Sequence, residues 1–168
     1  SNIPHHLNFL LKVPYNYLRI LNIIKKKKKS NIKVIAISLT RRIGDIIACE
    51  PISRNIRKNN PNAFIIWFTE KQYAPLLTYN PDIDLVFAVV CVSEWALYSK
   101  HAKFDMICDF HFQGRECCFL SLNKKNGDKY INHSNYYDYG NLLKVFSLVS
   151  GFEPIDNQPH FYNDEKYI

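Results

Sequence analysis

The sequence has 168 residues, of which 47% are hydrophobic and 22% charged; this composition excludes a disordered segment and indicates one globular domain with an ordinary core. The formal net charge is +7, but five positive residues form a single lysine run, so the excess is local. The run is not interleaved with aromatic residues and no nucleic-acid-binding module is recognised, so nucleic-acid binding is not expected.

No apolar run approaches the roughly 20 residues that cross a bilayer, and the amino terminus lacks the regions of a signal peptide. The sequence has five cysteines, an odd number, and their spacing along the chain matches no metal site. Several lie in apolar, strand-like stretches that are typical of buried free thiols. We therefore expect a cytoplasmic protein without a bound metal. The cysteines are Cys49, Cys91, Cys108, Cys117 and Cys118.

Residues 1–31 are predicted to form an amphipathic, basic amino-terminal arm. Apolar residues from Leu7 to Ile24 recur at roughly helical spacing, interrupted by Pro14. Clustered lysines near anionic headgroups contribute about 1 kcal/mol each, so the arm predicts peripheral binding to the inner membrane. A solvated charge run beside a helix of its own domain stays open as the alternative. The predicted membrane-surface residues are Lys25, Lys26, Lys27, Lys28 and Lys29.

Residues 32–152 alternate between strand and helix patterns, which is typical of a parallel sheet covered on both faces. Strands are predicted over 33–39, 63–68, 83–92, 104–110 and 129–132. Helices are predicted over 46–56, 71–77, 116–122 and 137–150, the last one stopped by Gly151. The predicted fold class is α/β, a Rossmann-like domain. Residues 153–168 are polar and Pro-punctuated, which predicts a linker toward a carboxyl-terminal domain.

The first loop of the sheet, from Thr40 to Asp45, is the first candidate site, because open parallel sheets bind ligands outside the carboxyl ends of their strands. Gly44 leaves room for a substrate to approach the backbone, and Asp45 lies at a helix start, where amide groups keep a carboxylate ionised. Such a carboxylate can act as a general base. A simple helix cap and turn remain the alternative. The loop lacks the glycines of a dinucleotide fingerprint and the Gly-Lys-Ser/Thr of a Walker loop.

The stretch from Lys33 to Phe87 resembles the opening of glycosyltransferase family 9, the heptosyltransferases of lipopolysaccharide inner-core assembly. Five features recur in the family's order: an apolar strand, a loop ending Ile-Gly-Asp, a Pro in the next helix, an Asn-Pro turn, and an Asn-Pro-x-Ile-Asp turn before strand three. The segment Phe104 to Arg115 is similar more loosely to the family's Asp-Leu-Gln-Gly or Asp-Leu-His-Gly segment, with two residues inserted or rearranged. The resemblance covers about Ile32 to Ile168.

The resemblance implies the amino-terminal, acceptor-side half of a GT-B glycosyltransferase, whose second domain binds the nucleotide sugar. It implies that Asp45 is the catalytic base, taking the proton of an acceptor hydroxyl that attacks ADP-heptose with inversion, with no metal or other cofactor. The acceptor implied is a glycolipid of the lipid A-core type, and guanidinium groups match its anionic groups. The expected acceptor-binding residues are Arg41, Arg42, Gly44, His111, Gln113 and Arg115.

Several alternatives stay open from the residues alone. The loop arginines are also compatible with solvated charge, and His111 with a packing role. The chain is also compatible with a non-catalytic acceptor-binding or scaffold module of the same fold, a protein O-heptosyltransferase, or a flavodoxin-like or nucleotide-binding α/β protein. Because the donor-binding half is expected on another domain, we expect this chain alone to be inactive.

Overall fold

A four-stranded parallel sheet forms the middle layer of the molecule. The computed structural model describes residues 3–123, 127–128 and 130–163. The strands are β1 (Val34–Ser38), β2 (Phe64–Glu70), β3 (Leu85–Val89) and β4 (Met106–Asp109), in the order β3-β2-β1-β4. Every residue of β1 is buried, because this central strand pairs in parallel with β2 and β4 and is covered on both faces. The predicted α/β fold class is confirmed.

Four α-helices cover the two faces of the sheet. They are α1 (His5–Lys29), α2 (Ile43–Asn59), α3 (Val92–His101) and α4 (Leu142–Ser150). The residues of α1 and α3 share one core with one face of the sheet, around Phe68, Trp95 and Tyr98. The residues of α2 and α4 share the opposite core, around Trp67 and Phe110. Burying each large apolar side chain stabilises the fold by roughly 1.5–3 kcal/mol, so both cores hold the sheet in place.

The segment predicted as an amino-terminal arm is the continuous helix α1, packed on the sheet. Ile20 is fully buried and Ile24 nearly so, and both belong to the core shared with α3. The helix continues through Pro14. A proline removes the hydrogen bond to the carbonyl four residues earlier, here that of Leu10, and this residue lies on an exposed face where water can replace the lost donor.

A buried carboxylate, Glu94, fixes α1 against α3. It accepts hydrogen bonds from the Tyr98 hydroxyl, from Asn16 Nδ2 at 2.9 Å and from the Val90 amide at 2.6 Å. Asn16 lies on α1, whereas Tyr98 lies on α3 and Val90 just before it, so the Glu94 carboxylate joins the two helices by hydrogen bonds. A buried charge is stable only with such a set of donors.

The helix predicted over 116–122 is wrong. This segment is a short hairpin in which β5 (Glu116–Cys117) pairs antiparallel with β6 (Leu120–Ser121). The backbone reverses at Cys118, which has a positive φ of 52°. A helical pattern of apolar residues over so few positions does not distinguish a helix from two paired strands.

The helix α3 was not predicted from the sequence, because residues 83–92 were assigned to a single strand region. The strand β3 ends at Val89, and α3 begins at Val92 with its first turn buried. The apolar run therefore continues from the strand into the helix without a polar boundary, and hydrophobicity alone does not locate the change.

The fifth strand predicted over 129–132 is not formed, since residues 130–132 are irregular and Lys129 lies outside the described residues. The helix predicted over 137–150 is split. A 3₁₀ turn (Tyr136–Tyr139) ends at Gly140, whose φ is 110°, and α4 begins two residues later. The predicted stop at Gly151 is confirmed by its left-handed conformation.

The segment predicted as the start of a linker lies along α2 up to residue 163. The amide of Ile155 donates to the Pro51 carbonyl at 3.0 Å, and the His160 amide donates to Glu50 Oε2 at 2.7 Å. Arg54 forms an ion pair with Asp156 at 2.9 Å. Residues 164–168 of the predicted linker lie outside the described residues.

Within the described ranges, no helix combines the length and the apolar character that crossing a membrane requires.

Candidate functional site

The candidate site is a cleft at the carboxyl edge of the sheet, where β1 runs into α2. Arg42 has a positive φ of 73° and precedes α2, so it turns the chain from the strand into the helix. The cleft has a volume of about 30 Å³. Its lining residues are Leu39, Thr40, Arg41, Arg42, Asp45, Phe110, His111, Phe112, Arg115, His133 and Phe146. The structure therefore brings together most of the polar residues that the sequence singled out.

Asp45 lies in the first turn of α2 with its carboxylate half-buried in the cleft. It does not cap the helix, and within the described part of the chain its carboxylate accepts no hydrogen bond. Burial raises the pKa of Asp45, while the charges of Arg42 and Arg115 oppose that rise. The side chain is thus accessible from the cleft, and it has a stronger affinity for a proton than an ordinary aspartate.

Gly44 is not required by the fold. It lies inside α2, its φ is not positive, and a Cβ atom placed on it would meet no other atom within 4 Å. The residue with a positive φ at this turn is Arg42. A glycine in a helix destabilises it relative to alanine, and Gly44 is exposed and is not among the residues that line the cleft.

Three guanidinium groups surround the cleft. Arg41 forms an ion pair with Glu70, which raises the pKa of Arg41. Burial lowers the pKa of Arg115, and the charges of Arg41 and Arg42 lower it further, because like charges lie near it. The side chain of Arg42 is exposed and forms no hydrogen bond or ion pair with the described residues. The excess of positive charge favours an anionic ligand here.

His133 belongs to this cleft and was missed in the sequence. It accepts a hydrogen bond from Arg115 through Nε2, and its ring packs edge-on against Phe112 at a centroid distance of 4.7 Å. Burial lowers the pKa of His133, and the charges of Arg115 and Arg42 lower it further. The ring is therefore neutral and orients Arg115. An isolated histidine in a polar segment gave no sequence signal for this role.

His111 lies at the wall of the cleft, but both of its ring nitrogens are engaged. Nδ1 lies 2.8 Å from Asp109 Oδ1, and the backbone amide of Thr40 donates to Nε2 at 3.1 Å. Since Nε2 accepts this hydrogen bond, Nδ1 carries the proton and donates it to Asp109. The second oxygen of Asp109 accepts from Trp95 Nε1 at 2.9 Å. His111 therefore holds the Thr40 backbone in place at the end of β1.

Gln113 lies outside the lining of the cleft. Its Nε2 donates to Asn123 Oδ1 at 2.7 Å, beside the β5–β6 hairpin.

A larger cavity of about 460 Å³ lies between α3, β4 and β6. The carboxylate among its lining residues is Asp109, which already holds Trp95 and His111, so the larger volume does not mark the site of chemistry.

The five consecutive lysines at the end of α1 do not share one environment. Lys27 packs over the Phe64 ring at 4.0 Å, and Lys28 forms an ion pair with Asp105 at 3.1 Å. The other three are exposed and form no hydrogen bond or ion pair with the described residues. They are Lys25, Lys26 and Lys29.

No protein-family model matches this chain, and no curated protein sequence matches it. Partial matches exist among solved structures. A glycosyl transferase of family 9 from Veillonella parvula matches with a TM-score of 0.41 and 22% identity, over 48% of this chain and 26% of that protein. The E. coli heptosyltransferase WaaC with ADP matches with a TM-score of 0.44 and 14% identity, over 75% of this chain and 50% of that protein. The same enzyme with ADP-2-deoxy-2-fluoro heptose matches with a TM-score of 0.44 and 13% identity, over 75% and 51%. This chain thus spans about half or less of the length of these proteins.

Proposed function

We propose that this chain is the acceptor-binding domain of a sugar-nucleotide glycosyltransferase, with Asp45 as its general base. The observation that carries the proposal is the Asp45 carboxylate, which is half-buried, accepts no hydrogen bond from the described residues, and faces a cleft at the carboxyl edge of a parallel sheet. The motif order from Lys33 to Phe87, which resembles glycosyltransferase family 9, supports the same function.

In the proposed reaction, Asp45 takes the proton of an acceptor hydroxyl as the oxygen attacks the anomeric carbon of the donor sugar. The bond from that carbon to the nucleoside diphosphate breaks, and the leaving group takes the electron pair from the opposite face, which inverts the configuration. The products are the glycosylated acceptor, the nucleoside diphosphate and a proton on Asp45, which then passes to solvent. The raised pKa of Asp45 makes it a stronger base, and the nearby Arg42 and Arg115 oppose that rise, so they favour the ionised form that accepts the proton.

The charge of the cleft supports an anionic acceptor. Arg42 is available to bind a phosphate or carboxylate, and Arg115 is held toward the same cleft by His133. A phosphorylated sugar of the lipid A-core type carries such groups. We propose ADP-heptose as the donor, bound by a second domain, since the motif resemblance is to the heptosyltransferases.

Acceptor binding by the 168-residue protein tests this proposal without the donor. A deacylated, phosphorylated inner-core oligosaccharide is titrated by calorimetry into the wild type, Arg42→Gln and the control Lys58→Gln, which removes the same charge from the far end of α2. Arg42→Gln is expected to weaken binding by roughly 10- to 100-fold, because a hydrogen bond to a charged group contributes about 1.5–3 kcal/mol. Equal affinities for the two variants contradict the proposed site.

A second candidate function of the chain is docking on an anionic membrane through α1. One face of α1 is buried, and a second face carries exposed apolar side chains at helical spacing, namely Leu7, Leu10, Leu11 and Leu18. The exposed Lys25 and Lys29 follow Leu18 at seven and eleven residues, so they continue this face along the helix. An apolar stripe that ends in free lysines matches an acyl boundary with anionic headgroups.

Sedimentation with phosphatidylglycerol vesicles tests the membrane surface. Changing Lys25, Lys26 and Lys29 to Gln is expected to reduce binding by roughly 100-fold, from about 1 kcal/mol per lysine. The control Lys28→Gln is expected to retain most of the binding, because Lys28 is paired with Asp105. Unchanged sedimentation of the triple variant refutes membrane docking, and binding to neutral phosphatidylcholine vesicles at equal strength refutes the role of charge.

A further inference from the structure

Three cysteines and one histidine from separate segments meet beside the amino-terminal end of α1. The residues are His5 on α1, Cys91 directly before α3, and Cys117 and Cys118 in the β5–β6 hairpin. One ligand atom from each lies within 4.8 Å of the others. The sequence gave no sign of this group because its members are separated by 86 and 26 residues, from His5 to Cys91 and from Cys91 to Cys117.

The distances match those of one tetrahedral zinc ion. Zn–S bonds of about 2.3 Å and Zn–N bonds of about 2.0–2.1 Å place sulfurs about 3.8 Å apart, and sulfur and nitrogen about 3.6 Å apart. Cys118 Sγ lies 3.9 Å from Cys91 Sγ and 3.7 Å from Cys117 Sγ. Cys117 Sγ lies 3.4 Å from His5 Nε2. We propose that His5, Cys91, Cys117 and Cys118 bind one Zn²⁺ as a structural site.

The site would connect the short β5–β6 hairpin both to α1 and to the segment before α3. The hairpin pairs only two residues on each strand, and a hairpin of this size has marginal stability in water. Its other contacts to the domain include the Phe9–Phe119 ring contact at 5.3 Å and a hydrogen bond from Ser93 Oγ to the Leu120 carbonyl at 3.0 Å. Among the described residues, the local core has three buried members, Phe9, Val13 and Cys91. A zinc ion would join the hairpin to α1 and α3 at once, as structural zinc sites do.

The charge balance of the proposed site involves the arginines of the neighbouring cleft. Binding of Zn²⁺ releases the protons of three thiols, and the three thiolates, the neutral histidine and the ion together carry one negative charge. Arg41 lies close enough to interact electrostatically with Cys91 and Cys117, and Arg115 with Cys117. The positive groups therefore stabilise the anionic complex. This proposal stands independently of the proposed glycosyltransferase function.

Metal content and cobalt substitution test the site. The 168-residue protein, purified without an affinity tag, is expected to contain one zinc per chain by mass spectrometry. After zinc removal, Co²⁺ is expected to produce the visible absorption of a tetrahedral ion and a thiolate-to-cobalt charge-transfer band. Chelation of the zinc is expected to increase amide exchange over residues 116–121 more than in the β-sheet. Substoichiometric zinc together with a cobalt spectrum of the octahedral aqueous type would overturn the proposal.

Matched variants separate the site from adventitious binding. Loss of a residue that only hydrogen-bonds to a metal ligand lowers metal affinity by about 10- to 100-fold. Cys118→Ser and His5→Gln each remove a ligand itself, so each is expected to lower zinc affinity by more than this factor. Cys118 and His5 are exposed, so both variants are expected to fold. The controls Cys49→Ala and His6→Gln, which lie outside the group, are expected to retain one zinc per chain. Equal affinity of His5→Gln and His6→Gln, or a Cys91–Cys118 disulfide in the native protein by peptide mapping, would also overturn it.

Discussion

Replacing Gly44 by alanine is expected to stabilise the protein. Gly44 lies in α2 with an ordinary helical backbone, and a new Cβ atom would meet nothing within 4 Å. Alanine is more stable in a helix than glycine by roughly 0.5–1 kcal/mol, mainly through the smaller entropy of the unfolded chain. For a chain of this size, this gain corresponds to a rise in Tm of about 1–4 °C.

Urea unfolding followed by circular dichroism measures this effect, and the slope m is expected to stay constant. Gly151→Ala is the matched control, because Gly151 has a φ of 78° and alanine there is expected to destabilise the protein by about 1 kcal/mol. A loss of stability for Gly44→Ala similar to that for Gly151→Ala refutes the described backbone.

Two further predictions concern buried or half-buried carboxylates. Burial raises the pKa of Asp45, so its ionised form is disfavoured in the fold; the penalty is present above that raised pKa and absent below the ordinary value of 3.8. Asp45→Asn is thus expected to raise the free energy of unfolding at about pH 7 and leave it unchanged at about pH 3, as urea titrations at both pH values will check. Glu94→Ala leaves the donors of Tyr98, Asn16 and Val90 without their acceptor and is expected to lower the free energy of unfolding by about 3 kcal/mol or more in the same assay at neutral pH.

The parallel sheet was predictable because its strands are short, continuous apolar runs followed by polar turns. The run from Lys33 to Leu39 contains β1 (Val34–Ser38), and its burial on both faces explains why the pattern does not alternate. The position of the following loop at a cleft was predictable for a topological reason, since the carboxyl ends of parallel strands meet at one edge.

The hairpin and α3 were not predictable from the same periodicity. Apolar residues continue from β3 into the buried first turn of α3, so the strand has no polar end. In the hairpin, each strand contributes two paired residues, which is too few to establish a period of two. Both elements are determined by tertiary contacts, such as the hydrogen bond between Ser93 and Leu120.

The cleft was predictable only in part. Asp45, Arg41 and Arg42 follow β1 directly, so their position depends on local sequence. His133 reaches the cleft from a distant irregular segment, and its contact with Arg115 depends on how that segment packs. Long-range contacts of this kind leave no periodic signal in the sequence.

The rate of sugar transfer by Asp45→Asn tests the central claim most directly. The variant is placed in the two-domain enzyme proposed above, with the proposed donor-binding domain supplied on the same or a second polypeptide, and release of nucleoside diphosphate is measured with and without the acceptor. Because general-base catalysis contributes about 10²- to 10⁴-fold, kcat is expected to fall by that factor while acceptor affinity stays within about threefold of the wild type. A kcat equal to that of the wild type contradicts the assignment of Asp45 as the base.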